Sequence, residues 1–306
     1  MATVKDPVPH IIRTADDPRQ TGVWTARLSR IEQINSKIRL LRLSLQRDGP
    51  PLRHLPGQYI DLYIPNIDVV GGFTITSPPQ SASPSQDDPH IELAIQSSPS
   101  NPPAAYLWRP APEILDSTVT FRVGGNFVYP PPTLNRDECR ALERVVFVAG
   151  GVGINPIMSM ISAMHAVGAD KVGGMTRTVR VLYVSRREKN AETGAEEEIL
   201  FEKRLKCIAE TWKGHDRVDF KYNLFVTGGQ SGTGGTKQDE VEQGNMLTRY
   251  RRIQHGDLFD ALGSESGRGH TAVYVCGLPT MTDEFVALLQ KAPGMEDRRV
   301  LCEKWW

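Results

Sequence analysis

The stretch VVFVAGGVGINPIMSMI, residues 145–161, decides the fold class of this chain. It begins with an apolar run, passes through a glycine-rich turn and continues into a helical segment. Strands that are apolar on both faces are typical of a parallel sheet covered by helices. A buried strand, a tight turn and a helix in this order predict the start of a doubly wound α/β domain.

The turn itself carries three glycines, Gly150, Gly151 and Gly153. Residues without a Cβ atom let the backbone approach a diphosphate closely, and the next helix, with Asn155 and Pro156 suited to its cap and first position, offers N–H donors. The spacing departs from the G-x-G-x-x-G dinucleotide fingerprint, and no acidic residue is clearly placed to hold a ribose. The residues alone leave two interpretations open: a nucleotide site, or a tight connection with close packing.

Three more apolar runs follow, with helical stretches between them: TVRVLYVS (178–185), VDFKYNLFV (218–226) and TAVYVCG (271–277). They predict further parallel strands. The stretch 228–245 is polar, rich in glycine and without periodicity, so we expect a flexible surface insertion there.

The N-terminal half has a different pattern, with short alternating runs between turns. In GQYIDLYIP (57–65), alternate apolar residues face one way, and Tyr59, Asp61 and Tyr63 face the other, as in a half-buried strand. The runs IELAIQ (91–96) and TVTFRV (118–123) repeat this period. They predict an antiparallel barrel or sandwich.

Composition excludes several classes of function. The 306 residues suffice for two domains, and 36 basic and 36 acidic residues give no net charge to attract nucleic acid or an anionic membrane. The four cysteines form no CxxC pair, which argues against a metal site or a disulfide framework. No apolar run is long enough to span a bilayer, and the N-terminus lacks a clear targeting pattern. A cytoplasmic location is the default, with a mitochondrial one left open.

The order of these motifs resembles the ferredoxin–NADP reductase superfamily. A barrel is followed by AGGVGINP (149–156) and VYVCGLPTM (273–281), which are similar to the superfamily's GG-x-G-x-x-P turn and C-G-P-P-x-M segment. More narrowly, VVGGFTITSPP (69–79), RVGGNF (122–127) and EKWW (303–306) resemble the oxidoreductase NAD-binding domain-containing proteins.

This resemblance, which covers about residues 22–306, implies a β plus α/β architecture. An N-terminal antiparallel flavin-binding β-barrel of the FR type would occupy residues 22–130, after an extension over residues 1–21. A linker over residues 131–143 would lead to a doubly wound parallel nucleotide-binding domain over residues 144–306.

In the superfamily, an R-x-Y-[ST] segment on the fourth barrel strand holds the flavin. Its counterparts here are Gly71, Gly72, Phe73 and Thr74, so Phe73 would stack on the ring and Thr74 would bond near N5. Gly71 replaces the phosphate-binding arginine. The loss of such a contact, about 1.5–3 kcal/mol, would weaken binding by roughly one to two powers of ten. Backbone amides of the two glycines could compensate; alternatively, the glycines form a bulge and no flavin binds.

The resemblance implies further cofactor contacts in the barrel. The amides of Ala104 and Ala105, in NPPAAYLW (101–108), would meet a diphosphate. Gly124 and Gly125 would line the flavin edge, or else they form only a tight turn.

In the nucleotide domain, Cys276 would border the path of the hydride, with Gly277, Pro279 and Met281 around the cofactor. The alternative for Cys276 is a small apolar residue that fills a strand end. Pro156 belongs to the glycine turn's motif and would lie at the same site.

The end of the chain, EKWW, completes the predicted site. Glu303 would relay a proton or polarise its neighbours. Trp305 would lie over the flavin ring, and Trp306 would reach the adenine side or clamp the domain interface. The alternative for the two tryptophans is plain packing between the domains.

The resemblance implies an NAD(P)H-dependent flavoprotein oxidoreductase, with Thr74, Cys276 and Glu303 as the catalytic set. It would pass a hydride from the nicotinamide dinucleotide to FAD, with FMN as second choice, and electrons to an unidentified acceptor such as a separate redox protein. The alternative is a dinucleotide-binding or protein-interaction module without catalysis.

The choice of dinucleotide favours NADH over NADPH. Thr227 and Gly228 stand where NADP-specific relatives carry Ser-Arg. Arg186 and Arg187 could still reach a 2′-phosphate, and the alternative for both is solvated surface charge.

Overall fold

A computed structural model describes residues 8–167, 176–213, 218–228 and 240–304 of the chain. In these ranges the strands form two sheets, one of six strands and one of seven. Trp305, Trp306 and most of the predicted insertion lie outside the described residues, so the roles expected for the two tryptophans stay predictions.

The first sheet is antiparallel and lies within residues 24–124. Its strands are β1 (Trp24–Asn35), β2 (Ile38–Leu45), β3 (Tyr59–Tyr63), β4 (Gly71–Thr74), β5 (His90–Gln96) and β6 (Thr118–Gly124). They are ordered β4-β3-β6-β1-β2-β5, and a bridge between Ile75 and Leu93 brings the two edges together. Alternate apolar residues of all six strands therefore enclose one core, as the period of two requires.

The second sheet begins where the chain leaves this core. Its strands are β7 (Arg144–Gly150), β8 (Thr178–Arg186), β9 (Asp219–Thr227), β10 (Glu240–Gln243), β11 (Met246–Arg249), β12 (Thr271–Cys276) and β13 (Val300–Glu303). Their order is β10-β11-β9-β8-β7-β12-β13. All neighbouring strands are parallel except β10 and β11.

The described α-helices are α1 (His10–Arg13), α2 (Pro102–Leu107), α3 (Ala111–Ile114), α4 (Arg136–Arg140), α5 (Ile154–Val167), α6 (Glu202–Thr211), α7 (His255–Leu262) and α8 (Pro279–Gln290). Helices α5 and α6 pack on one face of the parallel sheet, and α7 and α8 on the other. Strand β7 is apolar on both faces because alternate residues join the two cores. The predicted combination of an antiparallel barrel and a doubly wound α/β domain is confirmed.

Two details differ from the expectations. The C-terminal end of the predicted flexible insertion is a hairpin, because β10 pairs with β11 and extends the sheet at its edge. The predicted linker contains α4, and a capping box of Asn135 and Glu138 stabilises the start of this helix.

No helix in the described ranges is long and apolar enough to cross a membrane.

A third difference concerns β3, which we expected to be half-buried. Its outer face is also covered, since Tyr59 and Asp61 are both 0% exposed. The cover is the predicted N-terminal extension: α1 packs against β4, and Arg19 forms a bridge to Gly124 at the end of β6. Residues 8–20 therefore belong to the barrel, and this contact could not be read from the alternation of β3 itself.

Candidate cofactor site

The glycine turn lies at the point where the strand order of the parallel sheet reverses. From β7 the chain moves to β8 and β9 on one side, and β12 then lies on the other side of β7. In open α/β sheets, ligands bind in the crevice at such a switch point, beyond the carboxyl ends of the strands. Gly150, the last residue of β7, and Cys276, the last residue of β12, both lie at this edge.

The glycines of the turn serve different purposes. A Cβ atom on Gly153 would overlap the backbone carbonyl of Cys276, so Gly153 allows the turn to pack against β12. Gly151 is exposed, has a φ of +56° and has no neighbouring atom within 4 Å of where its Cβ would lie. The same turn thus has one closely packed glycine and one open glycine. It is a tight connection at Gly153 and leaves space for a ligand at Gly151.

The segment after β12 packs onto this turn. Met281 of α8 lies over Gly150 and Gly277, and a Cβ atom on Gly150 would be 3.0 Å from its Cε atom. Pro279 is the first residue of α8, where a missing N–H has no cost. The structure thus brings Gly150, Gly277 and Met281 into contact at the switch point, and Pro279 starts the helix beside them.

Cys276 is buried at the end of β12, directly opposite Glu303 of β13 in the parallel pairing. Burial raises the pKa of the Cys276 thiol well above its ordinary value, and the charge of Glu303 acts in the same direction. The thiol therefore stays neutral at physiological pH. It can border a ligand and exclude water, but it is not an activated nucleophile.

The start of α5 ties the nucleotide domain to the barrel. Asn155 Nδ2 donates to the carbonyl of Ala94 in β5 over 3.1 Å, and Ser159 Oγ donates to the carbonyl of Ser77 over 2.9 Å. Asn155 is thus inside the helix and bonds across the domains, so its predicted role as helix cap is wrong. Pro156 lies in the first turn of α5.

Strand β4 carries the predicted flavin-binding segment. Thr74 is buried and lies opposite Tyr59 in the pairing of β4 with β3. Phe73 is half-buried and packs against the barrel core. A Cβ atom on Gly71 would lie 2.5 Å from the ring of Phe73 and 2.8 Å from Pro103, so the place of the motif arginine has no room for a side chain.

The neighbouring glycine, Gly72, faces the N-terminal segment. A Cβ atom there would overlap the imidazole of His10, and this ring also contacts Tyr59 edge to face with centroids 5.1 Å apart. Gly72 is therefore explained by His10 rather than by a cofactor phosphate.

Beside Gly72, the buried carboxylate of Asp61 accepts hydrogen bonds from three side chains. Its carboxylate lies 2.8 Å from His10 Nε2, 2.8 Å from Arg19 Nε and 2.8 Å from a terminal nitrogen of Arg122. Burial alone would raise the pKa of Asp61, but hydrogen bonds from these three side chains outweigh it and hold the pKa well below its usual range. Asp61 thus anchors the N-terminal segment on the barrel as a carboxylate.

Two pairs of residues that were predicted to contact the cofactor contact other residues of the protein instead. The amide of Ala104 donates to Asn101 Oδ1 over 3.3 Å, and that of Ala105 to the Asn101 carbonyl over 2.8 Å. Neither amide is open to a diphosphate while this cap is in place. Gly124 and Gly125 pack against the ring of Tyr59, and Gly125 N donates to the carbonyl of Pro18. The structure thus favours the tight turn over a flavin edge for these glycines.

The residues expected to select the dinucleotide follow β8 and β9. Arg187 pairs with Glu202 over 2.9 Å, and its amide donates to the carbonyl of Thr227. The side chain of Arg186 is 66% exposed, lies across Gly228 and pairs with Glu188 over 3.2 Å. Arg186 is thus the more accessible of the two predicted cations.

The cluster around Asp61 was not predicted from the sequence. One signal was present: an aspartate in the middle of the otherwise apolar run YIDLY, paired across strands with Arg122. A charged residue there needs buried partners if the face is covered. The contribution of His10 and Arg19, 51 and 42 positions away, had no such signal.

With this geometry in hand, comparison with known proteins identifies relatives along nearly the whole chain. No protein-family model matches it. The oxidoreductase NAD-binding domain-containing protein 1 of Danio rerio is 31% identical over 299 residues, which are 97% of this chain and 97% of the relative. The Bos taurus protein of the same name is 30% identical and spans 97% of this chain and 85% of its own length. Ferredoxin–NADP reductase B of Sorangium cellulosum is 25% identical over 94% and 99%.

Solved structures show the same fold. The CS-b5R domains of human Ncb5or, in an NAD+ form, align with a TM-score of 0.64 and 18% identity over 95% of this chain and 71% of that one. The flavohem-like FAD/NAD-binding domain of nitric oxide dioxygenase from Vibrio cholerae aligns with a TM-score of 0.60 and 15% identity over 92% and 98%. The chain has the ferredoxin-reductase-like fold of flavin and pyridine-nucleotide oxidoreductases, and it belongs to the family of the oxidoreductase NAD-binding domain-containing protein 1.

Proposed function

We propose that this chain is an NAD(P)H oxidoreductase that passes a hydride from the nicotinamide to FAD and electrons on to a separate redox protein. One observation carries the proposal. The helix that starts at the glycine turn is hydrogen-bonded, through Ser159, to the carbonyl of Ser77, which follows the strand that carries Thr74. This contact between the two domains supports a cofactor site that both domains share.

The residues of the nucleotide side fit their predicted cofactor. Gly151 leaves the backbone open beside the start of α5, where N–H donors and a partial positive charge favour a diphosphate. Gly277 and Met281 form the neighbouring wall. The neutral thiol of Cys276 keeps water from the end of β12 without competing as a nucleophile.

The barrel side fits a flavin at one end of β4 and not at the other. Thr74 is buried and precedes Ser77, which accepts an interdomain hydrogen bond, whereas the position of the motif's phosphate contact, Gly71, has no room for a side chain. When bound, a flavin supplies the two-electron chemistry, and the protein supplies position and electrostatics. Thr74 and Cys276 would orient the reacting groups, and Glu303, opposite Cys276, would hold a proton.

NADH is the dinucleotide we favour. Arg187 is held by Glu202, and neither Thr227 nor Gly228 offers a positive charge for a 2′-phosphate. Arg186 is the cation whose replacement tests this preference. We expect Arg186→Gln to lower kcat/KM for NADPH and to leave that for NADH unchanged.

The test of the proposed function compares two variants at the open glycine. Gly151→Asn and Gly151→Asp have nearly the same shape, and both tolerate a positive φ. Only the aspartate brings a negative charge to the proposed diphosphate site. After reconstitution with FAD or FMN, titration with NADH should show binding to Gly151→Asn at least tenfold tighter than to Gly151→Asp, because like charges at close range repel.

Equal NADH affinity of the two variants would contradict a diphosphate at this turn. The alternative function, a module without catalysis, makes a different prediction for the wild-type protein. It requires that purified protein binds neither FAD nor FMN and that NADH reduces neither ferricyanide nor a dye. Bound flavin that NADH bleaches would rule the alternative out.

A further inference from the structure

The carboxyl end of β9 holds the residues expected to select the dinucleotide. Gly228, which follows β9, stands where NADP-specific relatives carry an arginine. It has a φ of +84°, and a Cβ atom there would lie 2.5 Å from the Cγ atom of Arg186. The side chain of Arg186 therefore occupies the space that a side chain at position 228 would need, and it brings a guanidinium to this edge of the sheet.

This guanidinium is already paired with a carboxylate. The Nε atom of Arg186 lies 3.2 Å from Oε1 of Glu188, two residues farther along the chain. The same oxygen lies 2.8 Å from Nζ of Lys37, in the turn between β1 and β2 of the barrel. The carboxylate of Glu188 thus lies between cations from both domains, and the contact with Lys37 helps to hold it beside Arg186.

Hydrogen bonds also hold the segment that carries Glu188. The amide of Glu197 donates to the carbonyl of Glu188 over 2.9 Å, and Lys189 forms an antiparallel bridge with Glu196. The carboxylate of Glu197 accepts hydrogen bonds from the amide and the hydroxyl of Ser36 over 3.1 Å and 2.7 Å. The segment is therefore closed on itself and fixed to the barrel, so the position of Glu188 is defined by the fold.

We infer that Glu188 is a specificity-determining residue that discriminates against NADPH. The inference rests on the dinucleotide site of the proposed function. The 2′-phosphate that distinguishes NADPH from NADH carries a charge of about −1.5 to −2 near pH 7. To pair with Arg186, this phosphate must displace Glu188, whose carboxylate Lys37 still holds nearby, and like charges at close range repel. NADH has a neutral hydroxyl group at this position and meets no such repulsion.

The neighbouring cation does not offer the phosphate another contact. Arg187 pairs over 2.9 Å with Glu202, which is 7% exposed. Taking a cation away from a buried carboxylate is costly. The amide of Arg187 also donates to the carbonyl of Thr227, which ties its backbone to β9. Arg186 is therefore the cation that the loss of the Glu188 charge would make available.

The test compares Glu188→Gln, which removes the charge and keeps the shape, with Glu192→Gln, which makes the same change at an exposed position of the same segment. The first measurement is kcat/KM for NADPH and for NADH with ferricyanide, on full-length protein reconstituted with FAD or FMN. We expect Glu188→Gln to raise the ratio of NADPH to NADH at least tenfold. Glu192→Gln should keep the wild-type ratio.

The second measurement is calorimetric titration of each protein with adenosine 2′,5′-bisphosphate, which carries the 2′-phosphate and does not react with a flavin. Glu188→Gln should bind it at least tenfold more tightly than wild type. The gain should shrink in about 1 M salt, where the screening length is about 3 Å. Adding Arg186→Gln to Glu188→Gln should remove most of the gain, because the phosphate then has no guanidinium to pair with.

A wild-type ratio and a wild-type affinity in Glu188→Gln would overturn the inference and leave Glu188 as an ion pair between the domains, with the proposed function intact. Equal gains in Glu188→Gln and Glu192→Gln would also overturn it, since the effect would then come from the overall charge. Thermal unfolding of each variant separates a loss of fold from a change in specificity. Failure of the reconstituted wild-type protein to reduce ferricyanide with either dinucleotide would overturn the proposed function, whereas the calorimetric titration would still decide the role of Glu188.

Discussion

Two glycine-rich segments of this chain look alike in the sequence but face different surroundings. AGGVG ends β7 and forms the turn at the switch point, and GGFT forms β4 of the barrel. In the first, Gly151 has open space where a side chain would be. In the second, Gly72 is filled by His10, and Gly71 is closed by Phe73 and Pro103.

The difference shows that a glycine pair marks a close approach without saying what approaches. At the switch point the position is open to a ligand, and the helix start favours an anion. On β4 the approaching group is the protein's own N-terminal segment. A resemblance to a flavin motif therefore transfers to Thr74 more directly than to the two glycines before it.

The largest expected effect is that of a substitution at Asp61, which anchors the N-terminal segment on the barrel. Asp61→Asn removes the charge that His10, Arg19 and Arg122 share. We expect a loss of about 3–5 kcal/mol in the free energy of unfolding at pH 7, because the partly buried Arg19 and Arg122 lose the buried carboxylate that pairs with them. Chemical denaturation followed by tryptophan fluorescence measures it.

The pH dependence of this loss follows from the lowered pKa of Asp61. A depressed pKa in the folded state adds stability above the unfolded pKa of about 4, and this stability is lost as the pH falls toward the folded value. The difference between wild type and Asp61→Asn should therefore shrink below about pH 4. Asp116→Asn is the control, since its pair with Arg27 is 62% exposed on the aspartate side and should be worth less than 1 kcal/mol. An equal loss of unfolding free energy in the two variants would contradict the role of Asp61 as an anchor.

A smaller effect tests the packing half of the switch-point turn. Gly153→Ala places a methyl group against the Cys276 carbonyl, which is backbone and cannot rotate away. We expect a loss of about 3 kcal/mol, at the upper end for overpacking, and weaker NADH binding as the turn shifts. Gly256→Ala, at an exposed glycine in α7 with open space around it, should be neutral. Thermal unfolding and NADH titration of both variants provide the comparison.

The smallest expected effect tests whether the His10 ring is the reason for a glycine at position 72. Gly72→Ala should cost about 1–2 kcal/mol, because the new methyl group overlaps the imidazole. In a His10→Ala background the same substitution should cost much less, since the ring is gone. A double-mutant cycle by denaturant unfolding measures this coupling. Additive effects of the two substitutions would place His10 away from Gly72.

Much of the fold could be predicted because the patterns are local. The period of two in β3 and β6, and the continuous apolar run of β7, follow directly from which faces are buried. The prediction for the outer face of β3 was wrong because its cover comes from residues 8–20. The cap assigned to Asn155 was wrong because the helix already starts at Ile154 and the side chain of Asn155 bonds to the barrel instead.

The fold class, the glycine turn before a helix and the lack of an arginine at position 71 could all be read from the order of residues. These depend on short-range spacing, which the chain carries in its order of residues. Which glycines are open, and that α1 packs on β4, follows from the tertiary structure alone. Such contacts link residues far apart in sequence, and their energies depend on burial and on partners that no local pattern specifies.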